Sequence, residues 1–255
     1  MIRISALQMQ TAGPDTAANL TRIEKAARQA EEVGATLLVT PELGVTSYGG
    51  GGAILDLAEP ADGPIVNRLS EIARQTGVAV VAGFAEKADR TVFNSAVYTD
   101  GMGTPSVYRK SHLYGDYERD LFTPATPGTC LFSHHGMTFG MLICYDVEFP
   151  ENVRRLALAG ADVILVPTAT PQGDSGTFIA EKMIPVRAFE NQIFIAYVNN
   201  SGGDGAFNYA GRSIIAAPDG SALASAGLSE AFLTAEITPA LYALSRSENT
   251  YLKDL

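Results

Sequence analysis

The chain has 255 residues, of which 46% are hydrophobic and 18% charged, a balance ordinary for a globular protein with a sizeable core. Its net charge of −10, with the eighteen Lys and Arg scattered rather than gathered into a stripe, speaks against nucleic acid as a partner. Cys130 and Cys144 make no disulfide framework, the three histidines fall in no metal-ligand spacing, and no run of 18 apolar residues could cross a membrane. The first residues, MIRISALQMQ, lack the apolar region and cleavage site of a signal peptide. A cytoplasmic setting with reduced thiols is therefore expected, with no metal, no cofactor and no membrane partner.

Residues 2–8 alternate as a strand, and 16–33 place apolar side chains at helical spacing before Gly34. ATLLVTPE (35–42) is a near-continuous apolar run, the mark of a strand covered on both faces. A second helix (64–77) and strand (78–86) repeat that order. The pattern then changes to hairpins, at 91–110 around Gly-Met-Gly and at 129–144 around His134, His135 and Gly136. A helix at about 150–160, a strand at 161–167, a long helix at about 176–191 and strands at 193–199, 210–217 and near 230–236 complete the chain. The tetraglycine 49–52 reads as a mobile loop. No linker or repeat interrupts the sequence, so residues 1–255 are expected to form one domain of layered sheets with helices outside.

Functional groups in α/β sheets gather beyond the carboxyl ends of strands. Three such ends carry chemistry here: TPELG gives Glu42, YRKSHL gives Lys110, and GMLICYD gives Cys144. Each residue alone has a plainer reading, as a solvated loop acid, a hairpin-surface lysine and a core thiol. A free cysteine is most often a small buried hydrophobe. An acid, a base and a thiol at three strand ends could also converge in space.

The segments around these residues resemble the nitrilase superfamily, the carbon–nitrogen hydrolases, over nearly the whole chain and in the right order. TPELGVTSY is similar to that family's acid motif, YRKSHLYGDYERDLFTPA to its lysine motif, and GMLICYDVEFPENVRRLALAGADVILVPT to its cysteine motif. RAFENQIFIAYVNN and AGRSIIAAPDG are similar to later family segments. The resemblance implies a Glu42–Lys110–Cys144 triad, with Glu118 as a second glutamate that positions substrate or lysine. It implies an αββα sandwich of two mixed β-sheets with helices on the outer faces. It also implies a homodimer, or a higher homo-oligomer, formed through the helices at about 150–160 and 176–191.

A thiol with an ordinary pKa is only a few per cent thiolate at neutral pH, so it needs a base or a nearby positive charge. In the implied mechanism Glu42 takes the thiol proton and Cys144 attacks an amide carbon, giving a thioester that water hydrolyses. Lys110 and the N–H of Tyr145 would hold the developing oxyanion. His112 is expected to pack in support rather than act as base. Asp146, Pro150 and Glu151 suit a helix start, with Arg154 and Arg155 placed to pair with those acids.

Cys-Tyr-Asp resembles the amidase branches more than the Cys-Trp-Glu of nitrilases proper. Branches acting on free carboxylates often carry an arginine where this chain has Val147 and Glu148. A small neutral or cationic carboxamide is the expected substrate. Nitrile hydrolysis, acyl transfer and carbamoyl hydrolysis are the alternatives. Tyr48, Tyr145, Thr168 and Ala169 are the candidate substrate contacts.

Overall fold

The structure, a computed structural model, describes all of residues 1–255. The first half of the chain forms β1 (Ile2–Gln8), α1 (Thr16–Glu32), β2 (Leu37–Val39), α2 (Ala53–Leu57), α3 (Pro64–Thr76), β3 (Ala79–Ala88), β4 (Thr91–Thr99), β5 (Ser106–Arg109) and α4 (Gly115–Leu121). The second half forms β6 (Leu131–His134), β7 (Met137–Met141), α5 (Pro150–Leu158), β8 (Val163–Thr168), α6 (Asp174–Phe178), α7 (Ile184–Asn191), β9 (Phe194–Asn199), β10 (Ile214–Ala216), β11 (Ala222–Ser225), β12 (Ala231–Ile237) and α8 (Ala243–Glu248).

Two six-stranded sheets result, ordered β12-β1-β2-β3-β4-β5 and β11-β10-β9-β8-β7-β6. Each has parallel pairs at its centre, β1–β2–β3 in one and β7–β8–β9 in the other, and antiparallel strands outside them. The αββα sandwich of mixed sheets read from the sequence is the observed architecture.

The run Leu37-Leu38-Val39 shows why β2 lacks polar alternation. Leu37 and Val39 point into the core between the sheets, while Leu38 points the other way, onto the side chains of α1 and α3. Ile23 and Ala27 of α1 meet Leu69 and Ile72 of α3 in that outer layer. On the far side, Val153 and Leu156 of α5 and Ile184 and Ala188 of α7 cover the second sheet. Apolar side chains on one helical stripe are what drive such helices onto a sheet.

Local chemistry sets the boundaries. The Asp15 carboxylate accepts from Ala18 N at 2.9 Å and starts α1. The hairpin β6–β7 turns on His135 and Gly136, both in the left-handed region at φ 47° and 77°, as a tight two-residue turn requires.

The structure adds to and adjusts the sequence reading in several places. The helix expected at 176–191 is present and runs from Asp174 to Asn191, with one wider turn at Ile179–Met183 between α6 and α7. Pro185 lacks the N–H that a regular α-helix would direct at the Glu181 carbonyl. The tetraglycine is not a free loop. Gly49 N donates to Asp204 Oδ2 at 2.8 Å and Gly51 N to the Tyr117 hydroxyl at 3.0 Å. The acidic segment GDYERDL, read only as part of a motif, forms α4. β11 and α8 also went unread, being short and half-exposed with weak periodicity.

Candidate active site

Glu42 lies on the loop that follows β2. That loop rests directly on β3, with Val45 N donating to Gly83 O at 3.0 Å. Gly83 is required for this approach, because a Cβ there would stand 2.3 Å from Leu43 N and 2.7 Å from Pro41 O. Lys110 is the first residue after β5 and is fixed by its own backbone: its N donates to Asn94 O at 2.8 Å and its O accepts from Ala125 N at 3.0 Å. Cys144 follows β7 on a sharp elbow at φ 44°. A side-chain-bearing residue in this region is strained, and such strain persists only where its surroundings hold it.

These three residues meet. The Lys110 ammonium, fully buried, donates to Glu42 Oε1 and to Glu118 Oε1, both at 2.6 Å. Glu118, carried on α4, also accepts from the Tyr48 hydroxyl at 2.8 Å and, through Oε2, from Tyr114 N at 2.9 Å. Asn94 Nδ2 donates to Glu42 Oε1 at 2.7 Å. Glu42 Oε2 is buried and has no hydrogen-bond partner in the protein. An unpaired carboxylate oxygen costs free energy in the interior, and it leaves a lone pair free for a proton.

Burial in this cluster sets the protonation states. Desolvation pushes the Glu42 carboxyl up to about 7, against the opposing Lys110 charge, and Glu118 adds to the rise. Burial alone would lower the Lys110 ammonium, but the two carboxylates outweigh it and hold it charged, well above its usual range. Desolvation, together with the Glu42 charge, raises the Cys144 thiol well above its ordinary value. Lys110 and the backbone N–H of Ala169 oppose that rise. The resting state is thus a neutral thiol beside a carboxylate that titrates near neutrality, the match general-base catalysis favours.

Behind the cluster, Asp146 ties the nucleophile elbow to the lysine loop. Its carboxylate accepts from Tyr108 OH at 2.9 Å, Ser111 Oγ at 2.7 Å, His112 N at 2.8 Å and Ile143 N at 3.3 Å. The His112 ring stacks on Phe149 at 3.9 Å, with Nδ1 3.0 Å from Asp146, and so supports the site from behind. Asp146 therefore does not pair with Arg154 or Arg155 as the spacing suggested. Arg155 instead donates to Asn152 Oδ1 at 2.9 Å.

A cavity of about 480 Å³ opens onto Cys144. Tyr48, Tyr145 and Ala169 line it, as do Tyr114, Glu148 and Thr170. Thr168 does not. It is the last residue of β8, fully buried, with its hydroxyl turned back to Val166 O at 2.9 Å. Its place is taken by Thr170, whose Oγ1 stands 3.6 Å from Cys144 Sγ and 2.6 Å from the Tyr197 hydroxyl. Asn94, Tyr114, Glu148 and Thr170 are site residues that were not candidates in the sequence. A polar Asn inside the apolar strand VFNSAVY was the available signal, since Asn is depleted from strands.

The carbon–nitrogen hydrolase family model matches residues 3–246. An (R)-stereoselective amidase from a Pseudomonas species is 37% identical over 99% of this chain and 91% of its own length. A nitrilase of Pyrococcus abyssi is 34% identical over 90% of this chain and 87% of its own. The fold is similar to that of an amidase from Nesterenkonia sp. AN1, solved with its active-site cysteine replaced by alanine and butyramide bound (TM-score 0.89, 32% identity, 100% of this chain and 94% of that one). With the family's segments spread along the whole sandwich, this chain belongs to the carbon–nitrogen hydrolases of the nitrilase superfamily.

Proposed function

We propose that the protein is a thiol amidase that hydrolyses the C–N bond of a small neutral or cationic carboxamide, with Glu42, Lys110 and Cys144 as its catalytic triad. The observation that carries this reading is the Lys110 ammonium bridging Glu42 and Glu118 beside a cavity-facing Cys144, with one Glu42 oxygen left unpaired. The amidases among its relatives support it.

Glu42 Oε2 takes the thiol proton as Cys144 Sγ bonds to the amide carbon. The carbonyl oxygen becomes negative and is held by Lys110 and the Tyr145 N–H, donors fixed before the reaction begins. When the intermediate collapses, Glu42 returns the proton to nitrogen, the C–N bond breaks and ammonia leaves. Glu42 then takes a proton from water, whose oxygen attacks the thioester. The C–S bond breaks, the carboxylic acid departs and the sulfur regains its proton. Glu118 holds Lys110 in place and does not itself transfer a proton. Tyr48, Tyr145 and Ala169 form walls around the substrate.

The reading further places the enzyme in the cytoplasm, as one hydrolase domain, and as a homodimer through α5 and α7, where Leu158 and Val186 stand exposed. Mass spectrometry after mixing with short amides should show an acyl group on the Cys144 peptide. Cys144→Ala should lower turnover by about 10⁴-fold or more while keeping the fold. Full activity in that variant would overturn the proposal, and release of ammonia from nitriles in place of amides would redirect it.

A further inference from the structure

Glu148 closes the short turn that begins at Cys144, and it lines the same cavity. Two cations reach it with their charge, Lys110 and Arg187. Neither pairs with its carboxylate. Lys110 is engaged by Glu42 and Glu118. Arg187 donates to the main-chain oxygens of Val147 at 3.2 Å and Glu148 at 2.8 Å, and to the Glu190 carboxylate at 3.0 Å. A carboxylate in a partly desolvated wall without a counter-ion is costly, and a cation entering beside it would be favoured.

The rest of the wall agrees. No Lys, Arg or His is among the cavity's lining residues. Three tyrosines are, Tyr48, Tyr114 and Tyr145, and the rings of Tyr114 and Tyr145 meet at 5.2 Å. Aromatic faces attract ammonium groups and offer nothing to a carboxylate. Burial raises the Glu148 carboxyl to about 7, with Lys110 and Arg187 opposing, so an incoming ammonium would also draw it toward its charged form.

We propose that Glu148 is the specificity-determining residue of this site, anchoring a protonated amine on the substrate so that amino amides are preferred over neutral and anionic ones. This rests on the amidase reading and narrows its substrate class. Glu148 binds the amine and leaves the reacting carbon to Cys144.

The test compares alaninamide with isobutyramide, which replaces its ammonium by a methyl group, at pH 7, where an α-amine is protonated. In the wild type, kcat/KM should favour alaninamide. Glu148→Gln should lower the alaninamide-to-isobutyramide ratio by about tenfold or more, the range of one charge-assisted hydrogen bond. Glu148→Arg should shift preference toward succinamate, an anionic amide. A ratio unchanged in both variants, or an equal fall on both substrates, would overturn the proposal. Calorimetric binding of the two amides to Cys144→Ala, with and without Glu148→Gln, reads the same preference without turnover. Wild-type protein that turns over no amide would sink the amidase reading, whereas turnover with an unchanged ratio would sink only the role of Glu148.

Discussion

Glu118 offers the sharpest test of how the buried cluster sets its own reactivity. Glu118→Gln removes one negative charge while nearly preserving shape. Because Lys110 Nζ lies 2.6 Å from an oxygen of each glutamate, those two oxygens are at most about 5 Å apart. At that separation, and an effective dielectric of about 20, two like charges repel by about 3 kcal/mol, or roughly two pH units. Glu118 is one of the groups that raise Glu42, so removing its charge should lower the Glu42 carboxyl from about 7. A carboxyl that loses its proton more easily is a weaker base. The rising limb of kcat/KM should move to lower pH by about one unit or more, allowing for relaxation, and its plateau should fall. The plateau has a second reason to fall. The amide that replaces Oε2 would face the Tyr114 N–H with a donor, and Lys110 would lose a charged acceptor. A loss of about 3 kcal/mol corresponds to about 10²-fold in kcat/KM. The profile should be recorded with butyramide, a neutral amide, and repeated in Glu148→Gln, because Glu148 also titrates at about 7. A limb that stays in place in Glu118→Gln would refute the electrostatic reasoning. A limb that vanishes in Glu148→Gln would assign it to the wrong carboxylate.

Asp146→Asn should destabilise the fold by about 3 kcal/mol, read as a lower urea midpoint, because an amide donor would face backbone and hydroxyl donors that now share one carboxylate. A loss under about 1 kcal/mol would show that the hub is dispensable. Thr168→Ala and Thr170→Ala form a contrasting pair. The first removes only a hydroxyl bonded within its own strand and should leave kcat/KM within about twofold, while the second removes the group beside Sγ and should cost about tenfold. Equal effects would mean that β8 presents its side chains to the cavity differently from the structure.

Most of the sheet framework could be read from the sequence because its strands are covered on both faces. In β2 and β8 every residue is buried, so the apolar runs LLV and VILVPT stand out from their surroundings. The short elements could not be read in this way. α4 has seven residues and a single buried one, Glu118, so no apolar stripe marks it as a helix. Its acids even suggest solvent. What buries Glu118 is a partner far along the chain, Tyr48, seventy residues away, together with Lys110. Periodicity reports which face of an element meets a core, and a charge buried against other charges has no period.

The same distinction explains the nucleophile. Strand β7 ends at Met141, and the two residues after it carry the chain to an elbow whose positive φ no apolar pattern announces. A core cysteine at the end of a strand would have the same sequence before it. Cys144 differs in what surrounds its sulfur: Thr170 from β8's end, a backbone N–H from Ala169, and two carboxylates and an ammonium delivered by the opposite sheet. The opposed carboxyl ends of the two sheets bring these groups together. Each sheet holds its own contribution rigid, Gly83 by letting the Glu42 loop press onto β3 and Asp146 by tying the elbow to the lysine loop. Because Glu42, Lys110 and Cys144, the proposed triad, are assembled across two separately braced layers, loosening either brace should displace one of them without touching it. Damage at Asp146 should therefore appear in kcat as well as in stability.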